Sequence, residues 1–430
     1  MKNIIAISAL LFLMVLTGCD ESYISPTYVV PSDSIAYDPV KDPVPVIMSM
    51  NDPFYVTASR GAGAISPENP FVKENAIFHV YSFLTNNFAY SGEIDYRNGY
   101  VPESELPSGK PMQCLVDDPE TGMGAATKLQ ENGILDFVDY NASFCYSQIN
   151  QEYKYNFFAY HIDDAIIDGG RAVREKDNVY LDIKIDGTQD VISAVAKLTD
   201  KQFENVDPND DKWLFANILN RELVFSTLTG HRFIVPVFEA KHCLARFKFN
   251  LQGEDAMSDA IYVQDIYIKA QRDWRFTVAA DNVEKLGLSL PDSQENLQEV
   301  HLCDEIGEVD GSVTSLEQYT YHVSKGETLS NIGLGMLLPP REAYDLYIKC
   351  AYISPDGKER SYVARYALNY RTTDEDGHVV YKPFEAGSEY NITMHVFGYQ
   401  NIQLSMEGLG WEQAPDDIPF DNDGEVEFLE

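Results

Sequence analysis

Arg246-Phe247-Lys248-Phe249-Asn250-Leu251 decides the fold class. Successive side chains of an extended chain point to opposite faces, so Phe247, Phe249 and Leu251 share one side and Arg246, Lys248 and Asn250 the other. One face suits a core and the other suits water, as in a half-buried strand. The pattern continues outward. Tyr390, Ile392, Met394 and Val396 alternate with Asn391, Thr393 and His395, and Ile402, Leu404 and Met406 repeat it beyond Gly398. Residues 346–353 and 362–370 read as a hairpin turned at Pro355-Asp356-Gly357-Lys358, with glycine supplying the positive φ. Toward the N-terminus, 46–50, 77–83, 155–161 and 179–185 read as strands from their alternation or their aromatic and β-branched residues, with 54–57 a candidate continuation past Pro53. Residues 211–223 have helical spacing and read as a short helix or an irregular crossing. Many short strands without long helices predict antiparallel β-sandwiches, two in tandem, divided near residues 240–250.

The first nineteen residues set the compartment. Lys2 precedes an apolar run from Ile4 to Leu16, closed by Leu16-Thr17-Gly18-Cys19. The run is shorter than the roughly 20 residues a spanning helix needs and reads as a secretory signal ending in a lipobox, with Cys19 carrying the lipid. The alternative is an ordinary secretory signal that ends in cysteine. The expected organisation is a signal peptide over 1–18, a lipidated tether over 19–45, β-sandwich domains over 46–243 and 244–415, and an acidic tail over 416–430. Pro26, Pro31, Pro39, Pro43 and Pro45 keep the tether extended.

At 430 residues the chain exceeds one typical core, which agrees with two domains. Its 68 acidic against 32 basic residues give a net charge of −36. Phosphate recognition needs clustered Lys and Arg, so nucleic acid is excluded as an expected partner. The charge favours solubility and self-repulsion at a cell surface. With Cys19 lipidated, Cys114, Cys145, Cys243, Cys303 and Cys350 remain, an odd set. Cys114 with Cys145 and Cys303 with Cys350 are candidate disulfides; buried free thiols are the alternative.

No Gly-rich phosphate loop, G-x-S-x-G elbow, H-E-x-x-H or C-x-x-C occurs, so no catalytic residue, metal site or cofactor is expected. His161 with Asp163 and Asp164 reads as a strand-end turn, and His242 as structural. The acidic stretches 207–211, 374–377 and 421–425 do not continue into a twelve-residue calcium loop and read as Asp-rich turns. From Glu412 onward there are eight carboxylates and no basic residue, yet Val426 and Phe428 alternate with Glu425 and Glu427. That segment reads as a strand with one apolar edge or as a solvated tail.

Several segments, taken in order, carry a family likeness: Ser59-Arg60-Gly61-Ala62-Gly63-Ala64, the aromatic strand 77–83, the stretch 155–164, Asp186-Gly187-Thr188-Gln189-Asp190-Val191, the junction 238–249 with His242, Leu244, Arg246 and Phe247, and the closing stretch 384–392 with Trp411. They resemble the fimbrillin-like lipoproteins, the type V pilins of Gram-negative anaerobes. The resemblance implies two transthyretin-like β-sandwich domains and assembly by donor-strand exchange. In that family an arginine-preferring protease removes the first strand with the lipid, and the vacated groove accepts a strand of another subunit. Arg60 is the candidate processing site, and Val46, Met48 and Met50 would leave the core with the strand. The alternative is a loop arginine and a retained strand, as in anchor-type members. Val426 and Phe428 mark a candidate donor strand. Asp20-Glu21 resembles an acidic export tag, with a plain acidic linker as the alternative, and Asp33-Ser34-Ile35 matches a short O-glycosylation pattern of related anaerobes.

The expected function is a non-enzymatic cell-surface fimbrial subunit, structural or adhesive, anchored in the outer membrane through Cys19. Its expected partners are other pilin subunits, of its own or another kind, and a host or bacterial surface ligand. The alternative is a surface glycan-binding lipoprotein of the nutrient-capture type, with Trp213, Trp274 or Trp411 as its exposed aromatic. A third reading, a secreted hydrolase, has only abundant carboxylates behind it.

Overall fold

The apolar positions of Ala245–Gly253 are buried in alternation, Phe247, Phe249 and Leu251 inward with Lys248, Asn250 and Gln252 half-buried on the other face. In the computed structural model this strand is one of five in a sheet ordered Thr328–Leu338, Ala245–Gly253, Ser388–Gly398, Asn401–Gly410 and Asp416–Pro419. A second sheet runs Leu297–His301, Ile261–Gln271, Ala343–Ile353, Glu359–Thr373 and Val379–Lys382, with Glu425–Phe428 also paired to Glu359–Thr373. Residues from both sheets fill one core, centred on Phe247, Phe249, Ile268, Leu346, Ile392 and Met394. Phe247 touches the rings of Tyr344, Phe384 and Tyr390 at centroid distances of 5.4, 5.1 and 5.5 Å.

The structure describes residues 44–50, 77–84, 115–118, 121–130, 133–138, 144–146, 155–162, 166–175, 178–200, 202, 225–230, 234–280, 282–291, 296–306, 313–315, 321–354, 356–373, 378–398, 401–410, 416–419 and 425–428. All lie in one compact unit, Pro39–Glu430. The 211–223 segment falls outside them.

A second core lies N-terminal to the first. Its large sheet is ordered Ser49–Met50, Val237–His242, Val191–Lys197, Tyr155–Ile162, Ile77–Leu84, Ala125–Leu129 and Leu135–Phe137. Tyr155–Ile162 is central and buried at seven of its eight positions, which is why its sequence shows no alternation. The facing sheet contains Gly287–Ser289, Asp273–Ala280, Asn178–Lys184 and Ile166–Ile167. Tyr160 meets Phe276 edge-on at 5.9 Å between the two sheets. Asp273–Ala280 lies well past residue 244 in sequence, yet Phe276, Val278 and Ala279 are buried in this N-terminal core.

The protein is therefore all-β, and among the described residues its sheets are antiparallel but for two strand pairs. Ser49–Met50 runs parallel to Val237–His242, and Ala245–Gly253 runs parallel to Ser388–Gly398. Both pairs join strands far apart in sequence, where the long crossover a parallel pairing requires is available. The predicted hairpin forms between Ala343–Ile353 and Glu359–Thr373. Gly357 sits at φ 77° in its turn, and Ser354 N donates to Lys358 O at 2.8 Å. Cys145, Cys243 and Cys350 are free thiols, so the candidate disulfides to Cys114 and Cys303 are not formed; Cys243 and Cys350 are buried.

Candidate assembly groove

The segment 44–50 is short, yet it fills a slot in the N-terminal core. Val44, Val46, Met48 and Met50 are all buried, Met48 completely, while Pro45 is exposed and Ile47 half-buried. Period-2 alternation thus puts four apolar side chains inward from seven residues. The backbone is held on both sides. Tyr146 N donates to Val44 O at 2.9 Å, Val46 N to Phe144 O at 2.9 Å, Leu135 N to Met48 O at 3.1 Å and Met50 N to Gly133 O at 2.8 Å. On the other side Ser49 N donates to Pro236 O at 3.0 Å, and Ser49 and Met50 pair with Val237 and Phe238. Without this segment the edges at 133–135, 144–146 and 236–238 would be open beside an apolar channel, a template for another strand.

The channel is close-packed at Val44. A Cβ on Gly230 would stand 2.6 Å from Val44 Cγ1 and 3.2 Å from the Tyr146 ring, so this position in Thr227–Gly230 has no room for a side chain. Tyr146 is buried, and burial pushes its phenol well above the ordinary value. Among the described residues its hydroxyl has no hydrogen-bond partner, a cost built into the groove wall beside Val44.

The junction stretch is organised by charge. His242 Nδ1 lies 2.7 Å from Asp190 Oδ2, and Arg246 Nη1 lies 3.0 Å from Glu389 Oε2, whose other oxygen meets Lys248 Nζ at 3.0 Å. Burial pulls the Arg246 guanidinium down, and Glu389 and Asp190 draw it back up. The Asp186–Asp190 turn closes on itself through Thr188 N and Oγ1 donating to Asp186 Oδ1 at 3.0 and 2.7 Å. At its tip a Cβ on Gly187, φ 97°, would stand 2.5 Å from Val300 Cγ1, and Leu337 N donates to Gly187 O at 2.8 Å. The residues 186–191 and 238–249 singled out in the sequence therefore meet the C-terminal core.

Other singled-out residues fall as follows. His161 is buried, with Nδ1 2.8 Å from Ile77 O. Trp274 is half-buried, packs against the N-terminal core and donates Nε1–H to Gln271 O at 2.8 Å. Glu425–Phe428 is a strand, antiparallel to 362–365, with Val426 opposite Ala364 and Phe428 opposite Tyr362. Cys19, Arg60, Asp163, Asp164, Trp213, Trp411 and the acidic stretches 207–211, 374–377 and 421–424 lie outside the described residues. Val44, Gly230 and Tyr146 were not singled out from the sequence. Val44 extends the 46–50 alternation and was legible in principle; the glycine and tyrosine carry no local signal.

No family model and no curated protein matches the chain. Among solved structures, a candidate cell adhesion protein from Bacteroides uniformis aligns over 86% of this chain and 99% of its own, with 10% identity and a TM-score of 0.41. The fimbrial anchor protein Mfa2 from Porphyromonas gingivalis aligns over 85% and 98%, with 12% identity and a TM-score of 0.29. A candidate adhesin from Bacteroides ovatus aligns over 87% and 95%, with 9% identity and a TM-score of 0.30. Likeness at these levels carries no functional weight.

Proposed function

We propose that this protein is a cell-surface fimbrial subunit, exported as a lipoprotein on Cys19, anchored at the outer membrane and joined to other subunits by strand exchange. The observation that carries the proposal is the burial of 44–50. Four inward side chains and bonds on both edges make this segment an integral strand, and Arg60 lies between it and the rest of the N-terminal core in sequence. Each of those side chains contributes about 1.5–3 kcal/mol by burial, so the vacated groove would strongly favour a replacement strand. Cleavage after Arg60 would release the lipid and the strand together. The tail strand at Val426 and Phe428 is the proposed donor, and other pilin subunits, of the same or another kind, are the proposed partners.

N-terminal sequencing of the protein recovered from sheared surface fibres tests this. A start at Gly61 supports loss of the strand in the assembled form. A start at Cys19 in all surface material means that the strand is kept, and removes exchange at this groove.

A further inference from the structure

On the outer face of the C-terminal five-stranded sheet, Glu254, His395 and Ser405 form one hydrogen-bonded chain. His395 Nδ1 lies 2.7 Å from Glu254 Oε1, and His395 Nε2 lies 2.7 Å from Ser405 Oγ. A carboxylate only accepts, so Nδ1 carries a proton; in the neutral ring Nε2 is then the acceptor of the serine hydroxyl. This polarity lets an imidazole take a proton from a serine nucleophile while a carboxylate holds the ring. The three side chains are half-buried, placed by the sheet and still reached by solvent.

The strand register supplies a fourth group. Thr393 is the register partner of both Ser405 and Asn250. Asn331 N donates to Asn250 Oδ1 at 2.9 Å, and Asn250 Nδ2 donates to Thr393 Oγ1 at 3.4 Å. Thr393 thus accepts from one side, and the register places it across from Ser405. Asn331 is the one non-glycine residue with positive φ among the described residues, at 54°, where the pairing of Thr328–Leu338 with Ala245–Gly253 is irregular. Strained backbone of this kind clusters at sites where a side-chain array is held in place.

We propose that Ser405 is an activated nucleophile that cleaves short-chain acyl esters. The flanking Gln252, Gln403, Asn250 and Thr393 are polar, which suits a short acyl group on a hydroxylated carrier rather than a long apolar chain. Ser405 Oγ attacks the ester carbonyl carbon as its proton passes to His395 Nε2, and Thr393 donates to the developing oxyanion. The carbon–oxygen bond to the alcohol then breaks, and the alcohol leaves with the proton from Nε2. Water attacks the acyl-serine, gives a proton to Nε2, and releases the carboxylic acid as Ser405 regains its hydrogen. The overall reaction is ester plus water giving acid plus alcohol. Glu254 is a positioning residue.

The test treats the full chain with a fluorophosphonate probe, maps the modified residue, and measures hydrolysis of p-nitrophenyl acetate. The expected result is a single label on Ser405, lost in Ser405→Ala, with turnover on the order of 100-fold or more lower in His395→Gln. Glu254→Gln should slow labelling, because the ring loses the acceptor that holds its orientation, and Glu254→Asp should restore part of the rate. Wild-type labelling no faster than that of Ser405→Ala, or a label on another serine, overturns the proposal. So does labelling unchanged in both His395→Gln and Glu254→Gln, each checked for an unaltered melting temperature, since the chain would then be only a structural hydrogen-bond network.

Discussion

At the scale of single residues, the groove wall makes opposite demands at two neighbouring positions. Gly230→Val should drive methyl groups into the space held by Val44 and cost about 1–3 kcal/mol, read as a lowered melting temperature. Tyr146→Phe should do the reverse. It deletes a buried hydroxyl with no partner among the described residues, so the variant should be as stable as the parent or about 1 kcal/mol more so, and should retain 44–50 more firmly. At the junction, Arg246→Ala should cost about 3–5 kcal/mol, because it strips a buried carboxylate, Glu389, of one of its two cationic neighbours. The thiols give a pH signature. Burial pushes Cys243 and Cys350 from 9.0 up to about 12, so the folded chain prefers the neutral thiol. A raised folded value contributes stability that is complete below the ordinary thiol range and is lost as the pH climbs toward about 12. Neither thiol should react with a maleimide at pH 8 until the chain unfolds, and the melting temperature should fall on the alkaline side across that window.

At the scale of elements, alternation was enough to find most strands. Ala245–Gly253, Ala343–Ile353, Ser388–Gly398 and residues 402–406 each bury one face, so their period is written in the residues. Tyr155–Ile162 was legible through aromatic content instead. What alternation does not carry is pairing. Nothing local in Asp273–Ala280 says that it crosses to the N-terminal core, and nothing in 44–50 says that its neighbour is Val237–His242, almost two hundred residues away. The Glu254–His395–Ser405 chain was invisible for the same reason: register brings its members together, and no spacing in the sequence links them. The tail carries its own prediction. Glu425–Phe428 pairs with 362–365 in cis, and the same strand is the proposed donor in trans. Deleting 416–430 should abolish subunit joining and leave the two cores folded; joining that survives the deletion removes the tail as donor.

At the scale of the whole molecule, a net charge of −36 sets subunits against one another in solution, so contacts between charged surfaces are a poor means of joining them. A strand buried in a neighbour's core avoids that repulsion locally and separates slowly, because release requires opening the acceptor sheet. The direct measurement is an SDS gel of sheared surface fractions, run without boiling and probed for this protein. Strand exchange predicts a ladder of multimers that collapses to one band on boiling. A single band at the mass of the lipid-bearing chain, boiled or not, would contradict it.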